Sequence, residues 1–129
     1  MRIIIHDETQ SGCILNQVKL KVSKNCITIK ELIKLRIFQE AEEFNARRSS
    51  HYRGLVRPDH AVPMLSGFQL DPSYRIDPQK QYYVAMDAFK RQGFYVLVDE
   101  ERIEDPDYAI AVRSCTRISF LKLVPVIGG

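Results

Sequence analysis

Tryptophan is absent, and the three cysteines, Cys13, Cys26 and Cys115, are odd in number and widely spaced. Without a C-x-x-C pair they suggest neither a zinc site nor a disulfide framework. They are expected to be small buried residues in a reducing compartment, which makes the protein cytoplasmic. No apolar run approaches the roughly 20 residues a helix needs to cross a bilayer. The opening Met1-Arg2-Ile3-Ile4-Ile5 turns polar at His6-Asp7-Glu8, too early for a signal peptide. A net charge of +3 is too small to demand a nucleic-acid or membrane partner.

Catalytic signatures are missing too. His6, His51 and His60 lack metal-ligand spacing and neighbouring cysteines, so no metal site is expected. There is no G-x-S-x-G elbow and no phosphate-cradling glycine loop. The acids Asp99, Glu100 and Glu101 fall in a turn and read as solvated. The chain is therefore not expected to be an enzyme or to need a cofactor. Arg47, Arg48, Arg53 and Arg57, with His51, His60 and Tyr52, form a local basic cluster. Such interleaving can serve nucleic acid. Glu42, Glu43 and Asp59 dilute the field, so a solvated face or a contact for an acidic protein is the simpler reading.

What is present is an ordinary globular balance, 45% hydrophobic and 27% charged, over 129 residues, which predicts one domain spanning 1–129. Ile3-Ile4-Ile5 suits a central strand covered on both faces. Thr9-Gln10-Ser11-Gly12 is turn chemistry, and the alternation Val18-Lys19-Leu20-Lys21-Val22 predicts a half-buried strand, completing a hairpin. Thr28-Ile29-Lys30-Glu31 is a capping box that opens a helix to about Asn45. Its apolar residues, Ile29, Leu32, Ile33, Leu35, Ile37, Phe38, Ala41 and Phe44, cover more than one stripe. Another segment, or a second copy, is expected to cover its other side, which leaves self-association open.

From Arg47 to Ile76 prolines and glycines break the pattern into short pieces, read as a long loop lying over that helix. Asp77-Pro78 starts a second helix over about 78–92, stopped by Gly93. Phe94–Val98, a short return at Ile103 and Thr116–Val124 are the remaining strands, with Leu121 and Leu123 expected in the core. This order predicts an α+β fold: a mixed sheet packed on a helix, with residues 46–93 as an insertion containing the second helix.

Residues 94–129 resemble ubiquitin. Phe94 to Val98, the turn at Asp99-Glu100-Glu101, Ile103-Glu104-Asp105 and Asp107-Tyr108-Ala109-Ile110 are similar to ubiquitin's corresponding stretch. Ser114-Cys115-Thr116, Ile118 to Leu123 and Gly128-Gly129 resemble its final strand and di-glycine end, and Ile27-Thr28-Ile29 its helix start. With the insertion included, the chain looks like the modifiers of bacterial ubiquitin-like conjugation operons. The resemblance implies a β-grasp fold and a protein modifier activated at its C-terminal carboxylate by an adenylating activating enzyme. It also implies a transfer enzyme, a JAB-type deconjugating metalloprotease and target proteins as partners.

Gly128 and Gly129 fit that chemistry, because glycine lets a backbone enter a narrow channel. If extended, residues 124–129 reach roughly 20 Å at about 3.3–3.6 Å per residue. The sequence stops at Gly129, so no processing is expected before activation. Unlike ubiquitin's arginine-bearing tail, this one reads Val124-Pro125-Val126-Ile127, which implies a dedicated enzyme with an apolar channel. Strand parity offers Ile118 and Phe120, with Lys122, as a candidate partner surface, and a register shift of one residue reverses that assignment. Two other functions share this scaffold: a sulfur carrier whose terminal carboxylate becomes a thiocarboxylate, and an interaction module such as phage tail-assembly proteins use.

Overall fold

The computed structural model describes residues 1–47, 49–64 and 67–123. They form an α+β structure divided into two compact units, one of residues 1–32 with 88–129 and one of residues 33–87. The expected insertion at 46–93 overlaps most of the second unit, but that unit begins earlier, within the first helix. No described helix is long and apolar enough to cross a membrane.

The first unit is built on β1 (Arg2–Glu8) and β2 (Ile14–Lys21), an antiparallel hairpin irregular at Asp7/Glu8. β3 (Cys26–Thr28) leads into α1 (Ile29–Arg47). The capping box forms as the sequence predicts: the Glu31 amide donates to Thr28 Oγ1 at 3.2 Å, and the Thr28 amide donates to Glu31 Oε1 at 3.2 Å. These bonds from Thr28, backbone first and then hydroxyl, hold the Glu31 carboxyl below its usual range. A carboxylate with a lowered folded pKa stabilises above its unfolded pKa, and that contribution fades as acid protonates it. Thr28→Ala should therefore cost about 1 kcal/mol of stability. Urea denaturation near neutral pH and again in acid should show the penalty shrinking as Glu31 protonates.

After residue 87 come the end of α2 (Pro78–Lys90), then β7 (Phe94–Val98), β8 (Glu101–Ile103), β9 (Ala109–Ala111) and β10 (Ile118–Lys122). Asp99 and Glu100 make the tight β7–β8 turn with φ of 49° and 72°. Asp99 is further held by Arg117, whose amide donates to its Oδ1 at 2.9 Å. The five-stranded sheet runs β2-β1-β10-β7-β8, with β1 and β10 parallel and every other neighbour antiparallel. β3 and β9 form a separate pair, and the Lys30 amide donates to Pro106 O, fastening the first turn of α1. The core of this unit includes Ile3, Ile5, Leu20, Val22, Ile29, Leu32, Val96, Ile118 and Phe120.

Three expectations change here. Ile4 is 48% exposed, so β1 is covered on one face only. Alternation along a strand separates it from Ile3 and Ile5. The cysteines Cys13, Cys26 and Cys115 are free but exposed, because each lies at a strand end or in a turn. Leu121 is only half-buried, for reasons of strand register taken up below.

In the second unit, the stretch read as a long loop contains β4 (His51–Tyr52), β5 (Val62–Met64) and β6 (Gly67–Gln69), which form an antiparallel sheet in the order β4-β6-β5. These strands are too short for periodicity to reveal them. As expected, this stretch packs on α1. Asn45 Nδ2 donates to Ile76 O at 2.9 Å, and the Ile76 amide returns a bond to Asn45 Oδ1 at 2.8 Å. Ala41, Phe44, Tyr52, Ala61, Leu70 and Ile76 make its core. Asp77 caps α2, accepting from the Gln79 amide at 3.0 Å, as Asp77-Pro78 predicts.

Candidate functional site

Gly128 and Gly129, and the recognition residues Val124, Pro125, Val126 and Ile127, lie outside the described residues. What is described is the strand that precedes them. β10 occupies the middle of the sheet, in register with β1 from Ile5↔Ile118 to Glu8↔Leu121. Because the two strands are parallel, the chain leaves β10 at the end where β1 turns into β2. Two ion pairs tie Arg117, just before β10, and Lys122, at its end, to β1. Lys122 Nζ stands 3.7 Å from Oδ2 of the fully buried Asp7, and Arg117 stands 3.7 Å from Glu8. A buried carboxylate needs a partner, and Lys122 fills that role at the last position of the strand.

Register decides which face of β10 a partner can reach. Ile118 pairs with Ile5 and Val98, and Phe120 with Asp7 and Val96, so both point inward and both are fully buried. The Phe120 ring stacks on Phe94 at 5.8 Å. Ile118 and Phe120 are therefore core, and they do not form the partner surface that strand parity suggested. Lys122 shares their parity and is largely occupied by Asp7. The sequence assignment slipped by one residue, which exchanges the faces of a strand.

The outward row instead comprises Ile4, His6 and Glu8 on β1, Ser119 and Leu121 on β10, and Tyr95 and Leu97 on β7, followed by Arg102 on β8. The Arg102 guanidinium lies 3.7 Å above the Tyr95 ring and pairs with Glu104 at 2.7 Å. This face mixes apolar and polar side chains and carries an arginine fixed on a tyrosine ring, residue types common in protein interfaces.

The second unit carries a separate feature. Glu40, Glu43, Phe44 and Arg47 from α1, with Ser49, His51, Tyr52 and Arg53 around β4, border a recess of about 360 Å³. Its floor is aromatic: Phe44 meets Tyr52 edge-on at 5.5 Å. Beneath it lies an ion pair that sequence reading missed. Arg36 is fully buried, and its Nε donates to Glu40 Oε2 at 3.3 Å. The other Glu40 oxygen accepts the Leu55 amide at 3.2 Å. Tyr52 is 3% exposed, and its hydroxyl has no hydrogen-bond partner. Burial, then the Glu40 charge, drive its pKa far up, so the phenol stays protonated.

Glycines shape this corner. A Cβ on Gly54 would overlap the Tyr52 ring, and one on Gly67, where φ is +135°, would lie 2.6 Å from Tyr52 O. Of the basic cluster, Arg47, His51, Tyr52 and Arg53 converge here. Arg57 is used elsewhere, donating to Ala61 O at 2.9 Å, and His60 meets Tyr74 edge-on at 6.0 Å. Arg48 lies outside the described residues. Among known proteins, no family model, no curated protein and no solved structure matches the chain.

Proposed function

We propose that the chain is a ubiquitin-like β-grasp protein that works as a protein modifier, activated at the carboxylate of Gly129 and joined to amines of target proteins. The observation that supports this most is the strand order β2-β1-β10-β7-β8, with the first and last strands parallel at its centre. That order puts β10, the last described strand, in the middle of the sheet, with Tyr95, Leu97 and Leu121 on its outward face. In the proposed reaction, a Gly129 carboxylate oxygen attacks the α-phosphorus of ATP and pyrophosphate leaves. A target amine, directly or by way of an enzyme thiol, then displaces AMP and loses a proton as the amide forms. The activating enzyme, transfer enzyme and JAB-type protease supply the catalysis, and this chain supplies the carboxylate. Gly129 is C-terminal either as synthesised or after cleavage.

A second reading, a β-grasp assembly module without conjugation, is favoured by the second unit, whose own core and sheet exceed what a tail carrier requires. Co-expression with an adenylating enzyme encoded nearby separates the two. The modifier reading expects higher-mass adducts on immunoblots, lost when Gly129 is deleted. A sulfur carrier would instead show an oxygen-for-sulfur exchange by intact mass. If neither product forms while the enzyme is active, the assembly reading stands.

A further inference from the structure

We propose that the recess between the last turns of α1 and β4 binds the phosphate group of a small phosphorylated molecule. The volume, about 360 Å³, falls in the range of small-molecule sites, roughly 300–1,000 Å³. The charge balance favours an anion. Glu40 is met internally by Arg36 and the Leu55 amide, leaving the guanidinium groups of Arg47 and Arg53 against the single exposed carboxylate of Glu43. Further donors line the recess. Ser49 Oγ accepts the His51 amide at 3.1 Å, which leaves its own proton for another acceptor. Tyr52 also lines the recess, and its buried hydroxyl, beside Gly54, has no partner. An orphaned buried donor costs stability, and a ligand oxygen that reaches it as the corner adjusts would offset that cost. Oxygens arranged tetrahedrally meet such a donor set better than the two coplanar oxygens of a carboxylate, and arginine suits phosphate through its fork of N–H groups.

The full chain, at constant ionic strength, would be titrated with inorganic phosphate, pyrophosphate and a nucleoside monophosphate while amide resonances are followed. Saturable shifts confined to residues 43–55 are expected, with the arms ranking how much of the ligand beyond phosphate is read. Arg47→Ala with Arg53→Ala, both exposed positions, should weaken binding about tenfold or more. Tyr52→Phe should weaken it several-fold while leaving the thermal midpoint of the free protein unchanged or higher, an outcome a purely structural hydroxyl would not give. Shifts that persist in the arginine double variant, or that chloride reproduces, would overturn the proposal. So would binding of a single-stranded oligonucleotide without any response to the small phosphates. Neither result bears on the Gly129 chemistry, so this proposal and the modifier reading fail separately.

Discussion

Phe120→Ala should destabilise the protein by about 3–5 kcal/mol, whereas Leu121→Ala, one residue further along β10, should cost about 1 kcal/mol or less. Phe120 is fully buried and stacked on Phe94, so truncation leaves a cavity in the middle of the sheet's inner face. Leu121 is half-buried on the opposite face, and its removal mainly trims surface. Urea midpoints at constant slope check the pair. The reverse ranking would mean that β10 is shifted by one residue, and the outward face assigned to Ile4, Tyr95, Leu97 and Leu121 would be wrong with it.

Removing one member of the buried pair in the second unit should be comparably severe. Glu40→Ala leaves the Arg36 guanidinium buried without this carboxylate and the Leu55 amide without its acceptor. Breaking such a pair typically costs about 3–5 kcal/mol. Replacing both with apolar residues, as Arg36→Met with Glu40→Leu, should recover much of the loss, since the charges themselves are costly to bury. The recovery stays incomplete, because the Leu55 amide still lacks a partner. Denaturation of the two single variants and the double variant measures this coupling. Hydrogen exchange at Leu55 should accelerate in both backgrounds that lack Glu40. Additive single losses would contradict the pairing.

Elements defined by local chemistry could be read directly from the residues. The Thr28–Glu31 box and Asp77-Pro78 mark helix starts because capping needs only neighbours within one turn. The β1–β2 hairpin and the Asp99-Glu100 turn are likewise short-range. The faces of β10 were not legible: Ile118, Phe120, Leu121 and Leu123 are apolar on both parities, so alternation carries no sign there. The short strands β4 to β6 gave no periodic signal, and they exist through packing on α1. The Arg36–Glu40 pair looks like an ordinary exposed i, i+4 pair. A signal was nonetheless available, since Arg36 and Glu40 fall on the same helical stripe as Leu32, Ile33, Ile37, Ala41 and Phe44. The excess width of that stripe did indicate a second covering layer, and Tyr52, Ile76 and their neighbours provide it. The recess was half visible: the arginines and His51 announced charge, but nothing local showed that Tyr52 would be buried among them.

The most direct test of the modifier account is the chemical link itself. Any adduct formed with the adenylating enzyme would be purified, digested with trypsin and read by tandem mass spectrometry. Cleavage after Lys122 would leave Leu123-Val124-Pro125-Val126-Ile127-Gly128-Gly129 attached to the target. The account predicts a branched peptide in which the Gly129 carbonyl is bonded to a lysine side-chain nitrogen. A tail recovered only as a free, unbranched peptide, from preparations in which the activating enzyme consumes ATP, would contradict it and leave the assembly module in its place.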